Sequence, residues 1–105
     1  MPLGRSQYRQ IEGSGEIMLG DKLVGLRDEG TAAVREVFLP DACRCQGQIY
    51  LLKDEDGQAP GKVTLVPKKG QLIDGAASHK LRAKRGVVEM YSDGCNWQLL
   101  RSGAP

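Results

Sequence analysis

The chain has 105 residues, with 15 Lys or Arg against 13 Asp or Glu and a formal net charge of +2. That length holds one small domain, and so slight a charge excludes a global attraction to nucleic acid or membrane unless basic residues cluster locally. One Phe, one Trp and three Tyr leave a thin core of Val, Leu, Ile and Ala, for which oligomerisation is a natural source of added stability.

Residues 1–30, "MPLGRSQYRQIEGSGEIMLGDKLVGLRDEG", are rich in Gly, Ser and charge, with brief apolar stretches at 16–19 and 22–26. They read as an N-terminal arm with one or two short strands, of the kind that gains order by pairing with a partner. The opening has no hydrophobic segment of signal-peptide kind, and no apolar run approaches the roughly 20 residues of a membrane span, so we expect synthesis in the cytosol. Residues 31–105 read as the compact β domain.

In "GTAAVREVFLP" the alternation puts Val34, Glu36 and Phe38 on one face and Ala33, Arg35, Val37 and Leu39 on the other, before Pro40 ends the strand. A helix within 19–35 remains an alternative there. Cys43 and Cys45 form a C-x-C that would share one face of an extended strand. With Cys95 and His79 as the only further soft ligands, free thiols are favoured over a metal site. In "GQIYLLKDEDGQAPG" the run Ile49, Tyr50, Leu51, Leu52 predicts a strand covered on both faces. Asp54, Glu55 and Asp56 before Gly57 fail the spacing of a calcium loop and read as a solvated hairpin tip.

A short strand over 62–66 follows, stopped by Pro67 and Gly70. In "ASHKLRAKRG", His79, Leu81 and Ala83 alternate with Lys80, Arg82 and Lys84, predicting a strand with one basic face. Residues 87–92 and 97–101 form a hairpin around a loop at 93–96, where Asp93-Gly94 supplies positive φ. No internal repeat stands out beyond the two Asp-Gly pairs. The single histidine lacks a local nucleophile motif or orienting group, so a packed or interface role is favoured over catalysis. Gly13-Ser14-Gly15 lacks the strand and the later Gly and Lys of a phosphate loop.

Taken in order, "FLP" (38–40), "GQIYLLKDEDGQA" (47–59), "VTLVPKKGQLIDGAASHKL" (63–81) and "VVEMYSDGCNW" (87–97) form a pattern. It resembles a β module of tailed-bacteriophage virion proteins, found in tail-fibre segments and small capsid-associated proteins. The likeness spans residues 31–101. It implies a non-enzymatic structural domain that assembles as a homotrimer, each chain's β-structure completed by its neighbours. The basic "KLRAKRG" departs from the module, as does its free-standing context behind an arm.

The expectation is a mostly β fold: a small antiparallel β-sandwich or barrel-like module with an extended N-terminal arm, completed by trimerisation. From the resemblance, its function is that of a capsid decoration (cement) protein on the virion exterior, bound to the phage major capsid protein and to itself. It needs no cofactor, metal, small-molecule substrate or membrane. Tyr8, Ile11, Ile17, Leu19, Leu23, Leu26, Lys80, Arg82, Lys84 and Arg85 are the expected capsid or subunit interface. Asp74, Gly75, Asp93 and Gly94 are expected as turn formers and Trp97 as the apolar anchor of the last strand. Two alternatives are a tail-fibre, baseplate or head-tail adaptor subunit, and a small nucleic-acid binder using residues 80–85.

Overall fold

Brief apolar stretches broken by Gly, Pro and Asp give short strands, and short strands must share a core. A computed structural model describes residues 8–28 and 34–103. Its strands are β1 (Tyr8–Glu12), β2 (Gly15–Glu16), β3 (Leu23–Arg27), β4 (Arg35–Phe38), β5 (Ile49–Asp54), β6 (Val63–Val66), β7 (His79–Lys80), β8 (Val87–Ser92) and β9 (Trp97–Gly103). They form a five-stranded sheet in the order β1-β3-β5-β8-β9 and a four-stranded sheet in the order β2-β4-β6-β7. The mostly β fold with two sheets is thus present. The sheets are mixed, however, where an antiparallel sandwich was expected.

The mixture follows from the path of the chain. From β1 to β6 every strand crosses to the opposite sheet, so β1, β3 and β5 are parallel neighbours in one sheet, as are β2, β4 and β6 in the other. Parallel strands need a crossover, and here each crossover is itself a strand of the facing sheet. Gly13, at φ 76°, makes the first crossing possible within two residues of β1. The second and third turns of this coil are in register: Leu23 pairs with Leu51 and Arg35 with Val63. Arg27 and Glu55, 28 residues apart, accordingly meet side by side. The polar turn after β5 is therefore a crossover between sheets and not a hairpin tip. Antiparallel pairing is confined to the last strands, where β7 joins β6, and β8 joins β5 and β9.

Between the sheets lie Val24, Val37, Leu39, Tyr50, Leu52, Val63, Leu65, Ile73, Val88, Met90 and Trp97, all buried. Trp97 sits edge-on to Tyr50, with ring centroids 5.4 Å apart and planes at 65°. Such a pair adds about 0.5–1.5 kcal/mol beyond the area it buries. The Tyr50 hydroxyl donates to the Leu19 carbonyl at 2.8 Å, which ties the centre of the core to the β2–β3 connection. Trp97, expected as the apolar anchor of the last strand, is fully buried at the start of β9.

The segment expected as an arm is built differently. Over residues 8–28, β1 and β3 are members of the five-stranded sheet and β2 of the four-stranded one, and Ile11, Ile17, Val24 and Leu26 are core side chains. A boundary at residue 30 does not separate arm from core among the described residues. Gly-rich composition suggested looseness, but Gly13 and Gly20 sit where the chain changes sheet, and Gly25 lies within β3.

Candidate functional site

The acidic side chains show what the polar residues do here. Asp21, Asp41, Asp54, Asp56, Asp74 and Asp93 each accept at least one hydrogen bond from a backbone N–H. Asp54 is fully buried and accepts from Gly57 N at 3.1 Å and from Arg85 N at 2.9 Å, locking the β5–β6 crossover to the turn before β8. Asp93 accepts from Cys95 N, Asn96 N and the Gln98 side chain. Those donors hold its carboxyl below the usual range. Asp41, bonded by Gln71 and by Cys43 N, is lowered in the same way. These carboxylates hold loops that would otherwise leave N–H groups unpaired.

The two Asp-Gly pairs lie in turns with positive φ. Asp74 (φ 51°) and Gly75 (φ 81°) are the centre of a two-residue turn in which Ile73 N donates to Ala76 O at 2.8 Å and Ala76 N returns to Ile73 O at 2.9 Å. Two successive positive φ values mark the type I′ hairpin turn. Gly94 (φ 100°) bends the β8–β9 loop, closed by Asp93 N donating to Asn96 O at 3.0 Å.

The β7 strand ends at Lys80, and Arg82, Lys84 and Arg85 lie in the connection that follows. Lys80, Arg82 and Lys84 are exposed, alternating with the more buried His79, Leu81 and Ala83. Arg85 takes φ 57°, and its guanidinium donates to Glu55 O at 2.6 Å. Lys53 Nζ donates to the Arg85 carbonyl. Arg85 thus serves the turn. Just beyond it Gly86 has no room for a Cβ, which would collide with the Gly103 carbonyl of β9.

The apolar residues of the expected interface divide in two. Ile11, Ile17 and Leu26 are buried within the chain, as core, and Leu19, partly buried, packs against that core. Tyr8 and Leu23 point outward from the five-stranded sheet. The Tyr8 hydroxyl donates to Glu55 Oε2 at 2.6 Å, while Arg27 and Gln10 donate to Glu55 Oε1 at 2.8 and 3.2 Å. Partial burial works against the Glu55 charge, but these donors and the Arg27 charge prevail and lower its pKa. Glu55, read from sequence as a solvated turn residue, is a hub joining β1, β3 and the crossover.

The cysteines also depart from expectation. A 3-10 turn over Ala42–Arg44 exposes Cys43 and buries Cys45, so the two do not share a strand face. Burial raises both thiols, and Asp41 adds to the effect on Cys43, so neither carries the depressed pKa of a reactive cysteine. Among the described residues no group of three or more His, Cys, Asp or Glu converges as a metal site would require.

His79 does meet a hydroxyl: its Nε2 lies 2.8 Å from Ser102 Oγ, a contact from β7 to β9. Burial and nearby Arg82 lower its pKa against the pull of Asp74. No hydrogen bond joins Asp74 to His79 among the described residues, and the adjoining cavity, lined in part by Ser102, Leu81 and Gly86, is about 10 Å³. That is the space of one water, too small for a substrate. A second hollow of about 160 Å³, bounded by Glu16, Met18, Asp41, Arg44 and Lys68, is open and below the several hundred Å³ of ligand pockets.

What remains is the outer face of the five-stranded sheet. Across it Tyr8, Leu23 and Leu51 are register partners, and Ile49 pairs with Tyr91 in the adjacent outward row. Ile49 is 47% exposed and Leu100, at the β9 bulge, 52%. Sequence reasoning saw that β5 is apolar on both faces but expected both to be covered; among the described residues only the inner face is. A search against protein families finds no matching model, and no curated protein matches the chain.

Proposed function

We propose that the chain is a structural virion protein of a tailed bacteriophage, a non-catalytic capsid decoration protein that binds the outer surface of the major capsid protein lattice as a homotrimer and stabilises the head. The observation that carries this reading is the use made of the resembling segments. "FLP" ends β4, "GQIYLLKDEDG" is β5 with its crossover, "IDGA" is the type I′ turn, and "SDGCNW" closes β8 onto β9 around Trp97. Each stretch that resembles the phage module does architectural work, and its aspartates accept from backbone N–H groups. The apolar outer sheet face adds support, since a side chain left in water by one chain gains about 25 cal/mol per Å² on meeting a partner.

Multivalency supplies the mechanism. Three linked copies dock weakly but together, and effective concentration converts modest contacts into firm attachment across neighbouring capsid subunits. The test is the composition of purified virions by quantitative mass spectrometry. A decoration protein is present in numbers comparable with the major capsid protein. A handful of copies would instead assign the chain to the tail or baseplate, and absence from the particle would end the virion reading. A nucleic-acid role would rest on Lys80, Arg82, Lys84 and Arg85, of which only Lys80 lies in a strand and Arg85 is already engaged with the Glu55 carbonyl.

A further inference from the structure

We infer that the outer face of the five-stranded sheet is where this chain packs against further copies of itself. Tyr8, Leu23, Ile49, Leu51, Tyr91 and Leu100 form the apolar part of that face, and they come from all five strands: β1, β3, β5, β8 and β9. Singly exposed hydrophobic residues are ordinary, but a contiguous patch on a monomer marks an interaction site. The alternating strand pattern shows that the patch is not a by-product of the core. Tyr50, Leu52 and Val88 fill the interior completely, so Ile49, Leu51 and Tyr91 are additional apolar side chains directed away from it.

The charges around the patch indicate the occupant. On this face Arg27, Lys53 and Arg101 are matched by Glu12, Glu55 and Glu89. Arg27 is paired to Glu55 at 2.8 Å and Arg101 to Glu89 at 3.1 Å. A polyanion or an anionic lipid surface needs surplus positive charge, and a strongly charged protein needs surplus of either sign. A balanced face with an apolar centre fits another face of the same make. A second copy supplies it by symmetry, with two such sheets packing about 10 Å apart. The self-association face stands on this geometry alone. Only its closure as three copies, with three such sheets turned toward one axis, rests on the proposed virion role.

Sedimentation velocity on the purified full chain tests the inference, comparing the native protein with Ile49→Lys, Leu51→Lys and, as a control outside the face, Met18→Lys at a 54% exposed position. Fluorescence of the single Trp97 and the thermal melt report folding. Since Ile49 is half exposed, lysine there adds no charge to the core. The native chain and Met18→Lys are expected to sediment as the same oligomer. Ile49→Lys and Leu51→Lys should weaken association by about a hundredfold or more while remaining folded, because a lysine at the centre of an apolar contact loses its hydration. A native chain that stays monomeric at every concentration would overturn the inference, as would folded Ile49→Lys that associates like the native protein. A monomeric native chain that still binds virions would overturn this face and the preformed trimer while leaving the virion role standing.

Discussion

The carboxylate of Glu55 lies over the Cα of Gly25: a Cβ added to Gly25 would fall on it, well inside van der Waals contact. Glycine is required here for space and not for backbone conformation. Gly25→Ala must displace Glu55 from Tyr8, Gln10 and Arg27, and at roughly 0.5–1.5 kcal/mol for each of these net hydrogen bonds, less the roughly 0.5–1 kcal/mol by which a strand prefers alanine to glycine, the expected cost is about 1–4 kcal/mol. With Glu55→Ala already present the same change should be neutral or stabilising, because alanine is preferred over glycine inside a strand. Urea denaturation of both single variants and the double variant checks this. An equal cost in both backgrounds would show that Glu55 is not the obstacle.

Trp97 is fully buried against Tyr50, while its indole Nε1 finds no acceptor among the described residues. Trp97→Ala leaves a cavity and should cost about 3–5 kcal/mol. Trp97→Phe keeps the edge-to-face contact and removes the unbonded N–H, so its cost should stay below about 2 kcal/mol. Chemical denaturation followed by circular dichroism distinguishes the two. Similar losses would mean that the indole N–H is bonded in solution.

At the type I′ turn, Asp74 and Gly75 both hold positive φ, and Asp74 Oδ1 accepts from Leu99 N at 3.2 Å. Asn tolerates this conformation and keeps an acceptor, so Asp74→Asn should shift stability by less than about 0.5 kcal/mol. Gly75→Val should cost about 1–2 kcal/mol, since a β-branched residue is strained in the left-handed region. Thermal melts of the two variants provide the measurement. Tolerance of valine at position 75 would contradict the turn assignment.

Stability should decline toward acid in two stages. Burial holds the folded-state pKa of His79 below its ordinary 6.5, so the neutral form is favoured by folding. That contribution is complete above pH 6.5 and is lost as the unfolded chain takes up a proton that the folded chain resists. Glu55, Asp41, Asp56 and Asp93 have lowered folded-state pKa values. Their contribution is present above the ordinary carboxylate range, near about pH 4, and is lost as pH falls through the lower folded values. His79→Gln should flatten the first stage and leave the second. A pH series of urea midpoints that rises between pH 6.5 and 5 would contradict the signs.

What could be read from the sequence was local. Asp74-Gly75, Asp93-Gly94 and the place of Trp97 follow from what a tight turn and a hairpin strand demand of the residues within them. The coil was hidden because its neighbours are parallel and 28 residues apart, and the two paired turns share only Leu23 with Leu51 and Asp28 with Asp56 as identical residues. A two-residue link that crosses to another sheet has the same Gly-Ser composition as a loose loop, which is why residues 8–28 read as an arm despite Ile11 and Ile17. Glu55 was hidden for a related reason: a carboxylate beside Asp and Gly looks solvated until strands from elsewhere place Tyr8, Gln10 and Arg27 around it. The apolar outer face was legible in Ile49 and Leu51, but sequence alone did not show that the other described residues leave it open.

The most direct test of the account is reconstitution on the particle. Virions produced without this chain are incubated with the purified protein, pelleted, and analysed for bound copies and for the temperature at which the head releases its DNA. The account predicts saturable uptake at regularly repeated sites on the capsid exterior and a higher release temperature. Particles that take up none of it, or take it up with no change in head stability, would contradict a role as capsid cement.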